Sequence, residues 1–118
     1  MQNSDRVAVV ERYVEAFATQ DLDIIKDIFA PDARVEDPVG APPHQGLAAV
    51  TEFYRGALAM GAKLKLTGKP RCAGNAVAFP FKIQLPRMTI HVIDVFEFDA
   101  RGKVASMRAY WGPDNITH

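Results

Sequence analysis

The chain has 118 residues, 48% hydrophobic and 9% aromatic, which suits one domain with a filled core over residues 1–118. Lys plus Arg and Asp plus Glu each number 14, so the formal charge is zero; with no basic stripe, nucleic acid and anionic membrane are poor partners. The single Cys72 excludes an intramolecular disulfide and a cysteine metal cluster; with no signal-peptide pattern at the N-terminus and no apolar run of membrane-spanning length, a cytoplasmic protein is expected.

Helical periodicity comes first. Ser4 is the expected N-cap of a helix with Asp5 in its first turn, and Val7, Val10, Tyr13, Val14 and Phe17 form its apolar stripe. A short second helix follows Asp21, with Leu22, Ile25, Ile28 and Phe29 apolar, and Pro31 and Asp32 are expected to stop it. Ala33 to Glu36 reads as a short strand, and residues 37–43 as a loop by their proline and glycine content. Gly46 precedes a third helix carrying Val50, Phe53, Tyr54 and Leu58, which Gly61 ends.

The second half alternates with period two, as strands do. Leu64 and Leu66 alternate with lysines. Val77, Phe79, Phe81, Ile83 and Leu85 alternate strictly, and Pro80 among them predicts a strand edge or bulge. Pro86-Arg87 is a tight turn into the strand from Met88 to Phe98. Residues 99–102 form a second turn, and a last strand from Lys103 to Trp111 puts Ala105, Met107, Ala109 and Trp111 on one face. Helices followed by an antiparallel meander define an α+β class, and a bent sheet wrapped on helices would leave a conical cavity.

The most informative residue is Asp94. It shares a strand face with Met88, Ile90, Val92, Phe96 and Phe98, all apolar. A buried carboxylate must be paired or take up a proton, and a neutral carboxylic acid is a hydrogen-bond donor. The alternative is a structural aspartate bonded to backbone amides. Tyr13, on the buried stripe of the first helix, and Asp37, at a strand end before a proline loop, complete a candidate set of one base and two donors. Spacing alone leaves open a core tyrosine and a turn aspartate.

The chain resembles the bacterial ketosteroid isomerases of the NTF2-like superfamily. The resemblance rests on Arg12-Tyr13-Val14, Val35-Glu36-Asp37-Pro38-Val39-Gly40, Glu52-Phe53-Tyr54, Val92-Ile93-Asp94 and Ser106-Met107-Arg108-Ala109-Tyr110, in order and nearly end to end. It implies an NTF2-like cone, with three N-terminal helices packed on a curved, mostly antiparallel sheet. It implies a steroid Δ-isomerase in which Asp37 moves a proton from C4 to C6 of a Δ5-3-ketosteroid through a dienolate. Tyr13 and a protonated Asp94 would form the oxyanion hole. In this family that assignment is already a known case of carboxyl pKa tuning rather than something the spacing shows. The resemblance further implies no cofactor, a homodimer, a supporting hydrogen bond from Tyr54, and pocket-lining places for Met107 and Trp111. Phe29, Phe53, Phe79, Phe81, Val92 and Phe96 are further candidates for an apolar steroid-binding wall. The hairpin at Leu85-Pro86-Arg87-Met88 is shorter than the family pattern, which bears on the pocket mouth or the subunit contact.

His44, His91 and His118 have no ligand spacing, so no metal is expected. On the strand face opposite Asp94, Ile93 and Val95 suggest a covering second subunit. Two other functional classes fit the same fold. A non-catalytic carrier of apolar ligands would bind steroid without isomerising it. An epoxide hydrolase would want an Asp-Arg-Asp cluster, but Arg108 falls on the face away from Met107 and Trp111.

Overall fold

A computed structural model describes residues Met1–His118. Three helices, α1 (Asn3–Thr19), α2 (Leu22–Ile28) and α3 (Leu47–Ala59), pack on one sheet. The strands are β1 (Phe29–Glu36), β2 (His44–Gln45), β3 (Lys63–Leu66), β4 (Arg71–Ala73), β5 (Ala76–Leu85), β6 (Met88–Phe98), β7 (Val104–Tyr110) and β8 (Ile116–Thr117). Their order is β2-β1-β7-β6-β5-β3, with β4 also on β5 and β8 also on β6. Only β1 and β7 run parallel. No helix is long and apolar enough to cross a membrane.

The helices follow their apolar stripes. Val10, Tyr13, Ala16 and Phe17 of α1 are buried, as are Val50, Tyr54 and Leu58 of α3. Two boundaries differ from expectation. α1 starts earlier, and Ser4 lies inside its first turn; the Gln2 amide donates to Asp5 Oδ2 at 2.7 Å, so Gln2 holds the cap position. α2 begins after the Asp21 cap, whose side chain accepts from the Asp23 amide at 3.0 Å, but it ends at Ile28, and Pro31 lies within β1. Pairing of β1 with β7 is interrupted between Phe29 and Arg34, so the missing Pro31 N–H breaks no ladder bond.

The long β5–β6 hairpin pairs from Ala76–Glu97 to Leu85–Met88, closing on Pro86-Arg87. β5 is interior to the sheet, yet Pro80 is tolerated. The outer flank of β5 pairs with β3 from Phe81 onward and with β4 up to Ala78, and Pro80 sits in the break. Its carbonyl accepts from the Thr67 amide at 3.0 Å, which shows that its missing N–H also faces that break. In β7 the expected phase shifts. A register irregularity opposite Glu97 and Phe98 makes Val104, not Ala105, join Met107 and Ala109 on the buried face.

Beneath the helices the core is aromatic. Tyr13 packs edge-on against Phe96 at 5.1 Å and Tyr54 at 5.7 Å, and Phe79 meets Phe96 at 4.9 Å. Such pairs add about 0.5–1.5 kcal/mol each beyond the area they bury. They also fix the Tyr13 ring from several sides, and so fix where its hydroxyl points.

Candidate active site

Between α1, α3 and the inner sheet face lies a cavity of about 300 Å³, lined by 17 residues of which 14 are hydrophobic. Its carboxyl and hydroxyl groups come from distant parts of the chain. Tyr13 comes from α1, Tyr54 from α3, Asp94 from β6 and Asp37 from the bend just after β1. The three catalytic candidates therefore line one cavity, although they are far apart in sequence.

Asp94 is 1% exposed, and neither carboxyl oxygen has a hydrogen-bond partner. No backbone amide satisfies it, so it is not a structural aspartate of the ordinary kind. Burial pushes its pKa well above the usual carboxylate range, and the nearby Asp37 charge pushes the same way. The Tyr13 hydroxyl is near enough to offset part of that rise, though it makes no hydrogen bond of normal geometry with the carboxyl. The strand pairing explains the dry setting: Asp94 sits between Phe79 of β5 and Ala109 of β7.

Tyr13 and Tyr54 join hydroxyls at 2.9 Å, and either can donate. Burial raises both phenol pKa values well above normal, so both stay protonated at neutral pH. Tyr54 thus touches Tyr13 directly.

Asp37 is only partly buried. Burial raises its pKa above the ordinary carboxylate value, an effect only partly offset by a hydrogen bond from Trp111 and the nearby His44. Trp111 Nε1 donates to Asp37 Oδ1 at 2.7 Å. The following loop is pinned where the Val39 amide donates to the Ala109 carbonyl at 2.8 Å. The preceding Glu36 accepts from Arg34 at 2.8 Å and lies 3.6 Å from Arg108. Arg108 is thus tied up outside the cavity, with its guanidinium over Tyr110.

Of the apolar candidates, Phe53, Phe81, Val92 and Trp111 line the cavity alongside Tyr54. Phe96 and Met107 do not. Both are fully buried in the core beneath the cavity, where Phe96 packs against Tyr13. Phe29 and Phe79 belong to the same core. Strand alternation places a side chain on the inner face but does not say whether another layer covers it. The wall also uses Phe17, Gly56, Ala57, Met60, Ala62, Leu64, Ile83, Leu85 and Ile90, none of which the sequence reading assigned to the pocket. The apolar stripes of α3 and β5 carried the signal for several, but not for exposed Gly56 and Met60.

A basket of helices on a curved sheet, with a few polar groups in an apolar cavity, matches known proteins. The SnoaL-like domain model covers residues 10–107. The chain is 44% identical over 115 residues to the Steroid Delta-isomerase of Nocardioides simplex, covering 92% of this chain and 91% of that one. It is 30% identical over 117 residues to the Epoxide hydrolase LasB of Streptomyces lasalocidi, covering 91% of this chain but 41% of that protein. The solved structure of SalBIII, an epoxide hydrolase/cyclase-like enzyme with a role in pyran ring formation in the polyether salinomycin, superposes with a TM-score of 0.90 at 27% identity. That match covers 98% of this chain and 96% of SalBIII. The protein is therefore a SnoaL-like, NTF2-like domain. Within that class it belongs to the bacterial ketosteroid isomerases, and it is an isomerase.

Proposed function

We propose that the protein converts Δ5-3-ketosteroids to Δ4-3-ketosteroids by moving one proton from C4 to C6. Asp37, ionised and partly solvated, takes the C4 proton. The C4–H electron pair becomes the C3–C4 double bond of a dienolate, and the carbonyl electrons move onto the C3 oxygen. Tyr13 and neutral Asp94 donate hydrogen bonds to that oxygen as it gains charge, while Tyr54 donates to Tyr13 and leaves the Tyr13 proton free to point at the ligand. Asp37 then returns the proton at C6, and the double bond settles between C4 and C5.

The observation that carries this reading is the buried, unpartnered Asp94 carboxyl in the same cavity as Asp37. A donor without an acceptor in the free protein is what an arriving carbonyl would satisfy. In a dry site such donors act without solvent reorganisation, and losing one costs about 10²–10³ in rate. A carrier has no use for an ionised base near a neutral acid. An epoxide hydrolase of the Asp-Arg-Asp kind lacks support, because no arginine lines the cavity. The chemistry needs no cofactor.

The test is ultraviolet absorbance of a Δ5-3-ketosteroid with purified protein, beside Asp37→Asn. Growth of the conjugated enone band that collapses in the variant supports the isomerase and its base together. Binding without band growth sinks the isomerase and favours the carrier.

A homodimer is part of the same proposal. Ile93 and Tyr110 are 48% and 44% exposed on adjoining strands, where they pair as neighbours on the outer sheet face. A second copy covering them would explain apolar side chains there.

A further inference from the structure

Gly56 stands in the body of α3, where glycine costs about 1 kcal/mol relative to alanine. The usual reasons for such a glycine are absent. Its φ is not positive, and no atom lies within 4 Å of where a Cβ would stand. It lines the cavity together with Phe53, Ala57 and Met60, which share its helix face at helical spacing. Ile83, Leu85 and Ile90 of the β5–β6 hairpin line the same cavity. Met60 is 65% exposed yet lines the cavity, so the cavity meets solvent along this rim. None of these rim side chains offers a hydrogen bond.

We propose that Gly56 is a specificity-determining residue. Its missing side chain keeps a gap open at the rim, and the site accepts ketosteroids carrying an alkyl chain at the ring end remote from the carbonyl. That chain leaves the cavity through the gap. The inference rests on the isomerase reading above and goes further, to a substrate class. A cavity of about 300 Å³ is at the small end for ligand pockets, roughly 300–1,000 Å³. The ring system fills it, and a further substituent has to leave. The exit is apolar, so it favours hydrocarbon and cannot require an oxygen at that end.

The experiment compares kcat/KM for two Δ5-3-ketosteroids, one with a bare remote ring end and cholest-5-en-3-one with its saturated alkyl chain. The proteins are wild type, Gly56→Ala, Gly56→Leu and, as a control, Ala59→Leu, an exposed α3 position outside the cavity. Expected is a chained-to-bare ratio within about tenfold of one for wild type, falling at least about tenfold in Gly56→Leu, since a misfit of one or a few methylenes is worth about 10–200-fold. Ala59→Leu keeps the wild-type ratio. Gly56→Ala raises the melting temperature, which shows that folding does not require the glycine. The inference alone is overturned if wild type isomerises the bare steroid but rejects the chained one, or if the ratio is the same in Gly56→Leu. If neither steroid is isomerised, the isomerase reading itself falls, and this inference falls with it.

Discussion

At the residue scale, one cavity holds two carboxyl groups in different surroundings. Asp94 is enclosed by strands on both sides, while Asp37 sits at a strand end with a tryptophan N–H on one oxygen. Because the Trp111 hydrogen bond lowers the pKa of Asp37, the proposed base, Trp111→Phe should raise that pKa and move the acid limb of the kcat/KM profile to higher pH. A limb that stays put would show that Trp111 only packs. Tyr13→Phe removes one of the proposed oxyanion donors and is expected to lower kcat by about 10²–10³. Asp94 also makes stability depend on pH. Its folded pKa is raised, so the folded state holds more protons than the unfolded one above about pH 4. Stability is full below that pH and is lost as pH rises toward the folded pKa. Asp94→Asn does not titrate, so its melting temperature should exceed the wild-type value near pH 7.5, with the gap shrinking toward about pH 4.5. An equal gap at both pH values would contradict a neutral Asp94. Period-two alternation made Asp94 legible in the sequence, because one polar residue breaks an apolar face. The Trp111 bond to Asp37 was not legible, because it spans 74 positions and depends on how the chain leaves β7.

At the scale of elements, the apolar patterns located all three helices and the β5–β6 hairpin, because burial of one face dictates both periods. What they missed follows from pairing between distant strands. Pro31 reads locally as a stop, but β1 has no ladder bond at that position for its missing N–H to break. Ala105 reads as inward until the irregularity opposite Glu97 is known. The two-residue strands β2 and β8 have no periodicity to show. Met107 is the instructive case. It faces inward as expected but lies below the cavity floor. Met107→Ala should therefore cost about 2–5 kcal/mol of stability while leaving KM near wild type. Denaturant unfolding together with steady-state kinetics separates the two, and a raised KM with unchanged stability would return Met107 to the ligand wall.

At the scale of the whole molecule, the proposed dimer places a charge test on the outer sheet face. Ile93→Glu should turn a dimer into a monomer in analytical ultracentrifugation, since a carboxylate buried there without a partner is expensive. A variant that sediments like wild type would place the subunit contact elsewhere or show that there is none. Tyr13, Phe17 and Tyr54 belong at once to the cavity wall and to the hydrophobic core, whereas Gly56 and Met60 are exposed at the rim. This arrangement divides the molecule into parts that inheritance can alter at different rates. Changes at the rim alter which molecules fit without disturbing the fold, so new substrates are within reach of single substitutions. Changes to the floor disturb the fold along with the chemistry, so a lineage seeking a new reaction must rebuild both together.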